Sequence, residues 1–361
     1  MSKLINFGEF TVDNGAIRDL NELLFTTTFE NPDIEQVLTV VPGAENGKKL
    51  GWVDSIEDVG TAGAGCNPTY TKANIVGFEK QWDLGDWEIP KQFCYKDLTE
   101  TLAKYGMKPG TYKGDLQDTP YWDQFLIPLL QKAVNEMFWR VAWFGDKNAK
   151  NIAAGVGSDG GILTAGVDPK LFTMCDGLWK RLEAIIAANS KQQTAIEANN
   201  AATYDEQKTA IRKEGVAIDI VDQLLTDADG RIDSKDDATL FMTSSFFKAL
   251  RANIYKRSQY QLTEDKLMNG ILVSQYDGKP VVVLDIWDRM IKKYEDNGKK
   301  LHNPHRVVYT SPKNLFVGTS DTDLFGDFDV QFDHKARQNY IYASSDIGTL
   351  VGEDDLVQVA I

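Results

Sequence analysis

The chain has 361 residues, 42% of them hydrophobic and 25% charged, values that exclude a disordered or fibrous protein and, at about 150 residues per domain, predict two or three folded units. Lys plus Arg at 39 against Asp plus Glu at 53 leaves a formal charge of −14, which repels phosphate, argues against sequence-specific DNA binding and favours solubility at high concentration. Cys66, Cys94 and Cys175 are odd in number and form no C-x-x-C pair, so a disulfide framework and a zinc knuckle are both excluded, and the thiols read as free in a reducing cytosol. No apolar run reaches the roughly 18 residues of a membrane helix and no export signal opens the chain, so synthesis in a cytosol and no membrane partner are expected.

Along the chain, residues 14–25 (NGAIRDLNELLF) place Ile17, Leu20, Leu23 and Leu24 on one face of a short amphipathic helix within a loose N-terminal arm, which must dock on something else. Residues 47–96 turn to Gly, Trp, Thr and alternating patterns, with turn signals at 63–68 and at Gly85, and predict a long β-hairpin. Its apolar residues are too few on one face to build a core. It is therefore expected to project, burying Trp82, Trp87 and Phe93 against a neighbouring subunit.

The strongest helix signal spans residues 119–144, opened by Thr119 and Pro120, kinked near Gln124 by Pro128 and closed by Gly145. Apolar residues occupy nearly every side of it, so more than one layer should cover it. Further helices are predicted at 176–188, at 205–225, from a cap at Ser244 or Ser245, and at 285–298. The polar stretch 189–204 reads as an exposed helix or loop. A hairpin is predicted around Asp277 and Gly278, and short strands at HRVVYT, NLFV, FDVQF, NYIYA and LVQVAI, which together make the fold class α+β.

Residues 155–160, GVGSDG, spell a dinucleotide-binding fingerprint, but no strand precedes it and no helix follows, so it reads as a connector. The acidic turn TDADGRIDSKDD brings Asp227, Asp229, Asp233, Asp236 and Asp237 near Gly230, the spacing of a calcium loop in outline. With Gly230 sixth, Leu225 takes the first ligand position and Asp236 replaces the bidentate Glu. The turn is therefore read first as a solvated helix cap, with Asp227, Asp229, Asp233 and Asp236 as the calcium candidates. A second acidic run, Asp321 to Asp333, reads as the outer face of strands. His302 and His305 are separated by Pro304, and His334 stands apart, which does not suit a metal site. With no nucleophile motif, phosphate loop or ligand cluster, neither an enzyme nor a cofactor is expected.

Several phrases recur in order: DGLWKRL (176–182), FMTSSFFKALR (241–251), YDGKPVVVL (276–284), PHRVVYTSPKNLFVGTSD (304–321) and the closing RQNYIYASSDIGTLVGEDDLVQVAI. Together they resemble the major capsid proteins of tailed bacteriophages with the Hong Kong 97 fold, over most of the chain. The resemblance implies an N-arm (1–46), an extended E-loop (47–96), a peripheral domain (97–189) with its spine helix at 119–144, an axial domain (190–350) and a closing peripheral strand (351–361). It implies self-assembly through hexamers and pentamers into an icosahedral virion capsid around double-stranded DNA, after synthesis in the bacterial host cytoplasm. Portal and separate scaffolding proteins are the implied partners, with decoration proteins a further class. The E-loop lysine and partner asparagine that some members crosslink are not matched here, so no crosslink is expected. An encapsulin-like nanocompartment shell is the nearest alternative, and an extracellular calcium-dependent binding module the alternative of another class.

Overall fold

The computed structural model describes residues 33–56, 75–94, 127–152, 161–258, 264–266, 271–322, 329–333, 335–336 and 338–361. The expected arm helix, the residues around Gln124 where a kink was expected, and the Gly-rich segment 155–160 lie outside these. The chain enters at β1 (Thr39–Pro42), runs out and back through β2 (Lys49–Ile56) and β3 (Ile75–Gln81), and returns to the body as β4 (Gly85–Glu88) and β5 (Lys91–Cys94). Two helices, α1 (Ile127–Phe144) and α2 (Leu178–Ala188), are followed by β6 (Gln193–Thr194), α3 (Tyr204–Ile211), α4 (Val216–Asp227) and the single turn α5 (Gly230–Asp233). Then come β7 (Thr239–Thr243), α6 (Ser244–Ser258), β8 (Glu264–Lys266), β9 (Leu272–Tyr276), β10 (Lys279–Leu284) and α7 (Asp285–Tyr294). Strands close the chain: β11 (Val307–Thr310), β12 (Leu315–Thr319), β13 (Asp329–Asp333), β14 (Gln338–Tyr342), β15 (Ser344–Val351) and β16 (Val357–Ala360). The architecture is mixed α and β.

A seven-stranded mixed sheet in the order β6-β16-β11-β7-β10-β9-β8 carries helices on both faces. Because a strand's side chains alternate between faces, Leu240, Met242, Val281, Val283, Val307 and Tyr309 point into one core with α4 and α6. Phe241, Val308, Leu284 and Val359 point into the other, with α1, α2 and α7. Every residue of β7 and of β11 is buried. Strands covered on both faces lose the polar alternation that would mark them in the sequence, which is why no strand is predicted at residues 239–243.

A four-stranded sheet, β1-β12-β15-β4, packs beside α1 and α2, and a three-stranded sheet, β13-β14-β5, lies beyond it. The eight residues of β15 were not expected as a strand, and they hold β12 on one side and β4 on the other. Residues 351–361, expected to close the peripheral unit, place β16 between β6 and β11 in the seven-stranded sheet. The helix expected at 205–225 is broken into α3 and α4 at Gly215, whose φ of +82° suits a residue without a Cβ. The Asp277–Gly278 turn matches its prediction, with φ of +46° and +74° joining β9 to β10.

The amino end of α6 is capped from another helix. The backbone N–H groups of Ser244 and Ser245 donate to Asp288 at 2.6 and 3.0 Å, so the cap is Asp288 of α7 and not a serine side chain. Burial pushes the Asp288 carboxyl above its ordinary range, against the pull of those N–H donors. The stretch 189–204 is more buried than expected. Asn199 donates to the His305 carbonyl at 2.8 Å and accepts from the His305 N–H at 3.1 Å, pinning the stretch to the start of β11.

His305 is 4% exposed, with its Nδ1 3.1 Å from Ser245 Oγ, and burial pushes its pKa down from 6.5 to about 4. The unfolded chain takes up a proton there near pH 6.5, whereas the folded chain resists until about 4, so stability falls as the pH drops through that interval. We expect His305→Gln to lose about 2 kcal/mol less than the parent between pH 7 and pH 5, read from urea midpoints at the two values.

Candidate assembly surface

The pair β2 and β3 forms a two-stranded antiparallel sheet of its own, joined to no other strand among the described residues, with a bulge between Val53 and Ser55. Its base is fixed to the body. Lys80 Nζ donates to the Val351 carbonyl at 2.9 Å and pairs with Asp354, and Trp82 N–H donates to the Lys48 carbonyl at 2.9 Å. Trp52 stacks on its cross-strand partner Phe78 at 5.8 Å and tilts against Phe316 of β12 at 6.2 Å. The support is partial: Phe78, stacked on Trp52, is still 38% exposed, and Val53, the next residue out, is 77% exposed. A lone two-stranded ribbon is marginal in water, and apolar side chains standing out on one are a surface suited to a partner.

The aromatics expected at that interface are placed otherwise. Trp82 is 1% exposed within its own chain, packed with Ala44, Leu84 and Leu350. Trp87, 2% exposed, lies edge-on to Phe138 of α1 at 5.6 Å. Both sit beyond the ribbon, where the chain has rejoined the body, so neither indole can reach a neighbour while the subunit is folded. This corrects the reading of Trp82 and Trp87 as intersubunit contacts. Phe93 belongs to β5, opposite Asn339 in backbone register. The expected 47–96 hairpin is thus two structures, a ribbon from β2 and β3 and two strands, β4 and β5, that join different sheets of the body. Val53 and Phe78 carried no signal of their own in the sequence, because the alternation of β2 and β3 does not say which apolar residues the body covers.

The acidic turn does not gather its carboxylates. Asp229 caps α5 and pairs with Arg231 at 3.1 Å, and Asp233 accepts from the Tyr309 hydroxyl at 2.6 Å and pairs with Lys279 at 3.1 Å. Asp237 pairs with Lys313 at 3.0 Å, while Asp227 and Asp236 lie exposed. The Arg231 hydrogen bonds hold Asp229 below the usual carboxylate range, and the Tyr309 hydroxyl with Lys279 does the same for Asp233. No group of three or more potential metal ligands converges among the described residues. The four calcium candidates are therefore not brought together as a calcium loop requires. His302 lies 3.7 Å from Glu295, and Cys175 is buried, its thiol pushed up to about 12 mainly by burial, which leaves it inert as a nucleophile. No described helix is long and apolar enough to cross a membrane.

No family model matches the chain, and no curated protein matches it. Among solved structures, the chain is similar to one from the satellite phage P4 procapsid with its size determination protein, at 12% identity and a TM-score of 0.47, covering 91% of this chain and 94% of that one. It is similar to the capsid of an empty GTA particle at 13% identity and a TM-score of 0.47, covering 97% and 99%. A chain of Mycobacterium phage Bobi has 9% identity and a TM-score of 0.49, covering 94% and 92%. In all three the likeness runs over more than nine-tenths of both chains.

Proposed function

We propose that this chain is a major capsid protein that self-assembles through hexamers and pentamers into an icosahedral phage head, enclosing double-stranded DNA without sequence-specific contacts. The observation that carries the reading is the ribbon of β2 and β3, pinned to the body at its base and exposing Val53 and Phe78 beyond it. The phrases of residues 176–182, 241–251, 276–284 and 304–321 that resemble tailed-phage capsid proteins support the same reading. In it the ribbon is the E-loop, α1 belongs to the spine and the seven-stranded sheet to the axial domain. Contacts from one copy to the next, repeated around five-fold and six-fold rings, close a shell. Scaffold, portal and decoration proteins are partners within this proposal, and no catalytic role is part of it.

Sedimentation velocity and negative-stain electron microscopy of the purified chain, alone and with a scaffold protein, test it. Rings or shells are expected, and a monomer under all conditions overturns the reading. The variant Val53→Asp, whose side chain stands clear of the Trp52–Phe78 stack, should keep the parent melting temperature. That side chain contributes about 1.5–3 kcal/mol when buried against a neighbour, so assembly should need about tenfold more protein or worse. Normal shells from that variant would remove the ribbon from the interface.

A further inference from the structure

The two ends of strand β7 carry exposed side chains of opposite sign that form no ion pair among the described residues. Strand β7 runs five residues, about 16 Å of extended chain, with the acidic turn at its start and α6 leaving from its end. Parallel β10 ends beside it, feeding α7, and antiparallel β11 begins there. At this end of the strands a cavity of about 750 Å³ opens between α3, α6 and α7, lined by Lys208, Arg212, Lys248 and Lys292, all exposed. None of the four forms an ion pair among the described residues. Three carboxylates of the lining are held in place beside these cations: Asp288 caps α6, Asp296 accepts from the Tyr204 hydroxyl and from the Gly298 N–H, and Asp285 pairs with Arg289 at 3.6 Å. Asp205, in the first turn of α3, is the fourth.

At the opposite end of β7, residues 226–237 carry five aspartates against Arg231 and Lys235. Asp227 and Asp236 are exposed there and form no ion pair among the described residues. One end of the strand thus holds four exposed cations without ion-pair partners, set among carboxylates, and the other holds two exposed carboxylates without them, groups that can meet in a head-to-tail contact between identical copies.

We propose that the acidic turn of one copy docks into the Lys208, Arg212, Lys248 and Lys292 cavity of the next. The inference rests on the assembly reading and names a contact within it, separate from the ribbon. A nucleic acid is the less suitable occupant. Asp205 and Asp285 stand exposed beside the cavity and the chain carries −14, which opposes a continuous phosphate backbone. A turn presents discrete carboxylates that can be set between them.

Charge reversal tests the pairing on the full-length chain. Asp227→Lys with Asp236→Lys, and separately Arg212→Glu with Lys248→Glu, should each raise the concentration for half-maximal assembly by about tenfold or more while leaving the melting temperature unchanged. A chain carrying all four changes restores opposite charges across the contact and should return to within about threefold of the parent, and a 1:1 mixture of the two double variants should co-assemble. If the parent forms shells and either double variant assembles equally well, or the fourfold variant does not recover, the pairing is overturned and the assembly reading is left intact. A parent that never associates overturns both. Unchanged assembly of the Arg212→Glu, Lys248→Glu variant with loss of binding to a fluorescent single-stranded oligonucleotide would assign the cavity to nucleic acid instead.

Discussion

Replacing Glu295 with Gln is expected to destabilise the fold by about 3–5 kcal/mol, because it leaves a buried guanidinium without its counter-ion. Arg306 is 2% exposed, and its guanidinium pairs with the Glu295 carboxylate between the end of α7 and the start of β11. Two further donors are met by the carbonyls of Asn303 at 2.8 Å and His302 at 3.1 Å, and the guanidinium lies over the rings of Phe144 at 5.3 Å and Trp179 at 5.0 Å. Burial pushes Glu295 up, but the charges of Arg306 and His302 outweigh it and hold the carboxyl below its ordinary value. The same balance makes the pair a stabilising element that fades as the carboxylate is protonated in acid. Urea unfolding should show a lower midpoint at an unchanged slope. The double variant Glu295→Met with Arg306→Leu removes both charges together and should recover much of the loss. A Glu295→Gln midpoint equal to the parent's would mean that water reaches Arg306 and the pair is not buried in solution.

Trp287→Ala should cost about 3–5 kcal/mol, from lost burial and an unfilled cavity. Trp287 is fully buried on α7 and meets Trp143 of α1 edge to face at 4.5 Å and Trp179 of α2 at 4.9 Å. This triad joins three helices on one face of the seven-stranded sheet, so the cavity would open where those elements converge and could not easily collapse. The indole Nε1 of all three has no hydrogen-bond partner among the described residues. Trp287→Phe keeps most of the apolar area and removes one unpaired N–H, so its cost should be less than about half that of Ala. Thermal unfolding followed by near-ultraviolet circular dichroism would order the three chains. An Ala variant as stable as the parent would mean the helices close over the gap. Against the 5–15 kcal/mol that typically holds a domain together, either Glu295→Gln or Trp287→Ala removes a large share.

Much of the element order was legible along the chain. The apolar spacing of α1, α2 and α7 and the paired positive φ angles expected of Asp277–Gly278 are local properties, written in residues three, four or one apart. The ribbon's existence was legible too, since β2 and β3 lack the apolar face that a self-sufficient sheet needs. What failed depended on distant partners. The five residues TLFMT carried no strand signal, and only pairing with β10 and β11 makes them a strand. Strand β15 opens SSDIG, poor in β-formers, and owes its conformation to β12 and β4 on its two sides.

The candidate surface divides the same way. Composition and charge pattern alone determined that the chain folds, carries an acidic turn and sends out a hairpin with apolar residues left over. Only the tertiary structure decided that Trp82 and Trp87 belong to the subunit's own cores while Val53 and Phe78 do not, and that the acidic turn and the four cations lie at opposite ends of one strand. The physical reason is that burial is a property of pairs far apart in sequence: Trp82 is covered by Gly318 and Leu350, and no spacing within residues 47–96 could say that they would be there.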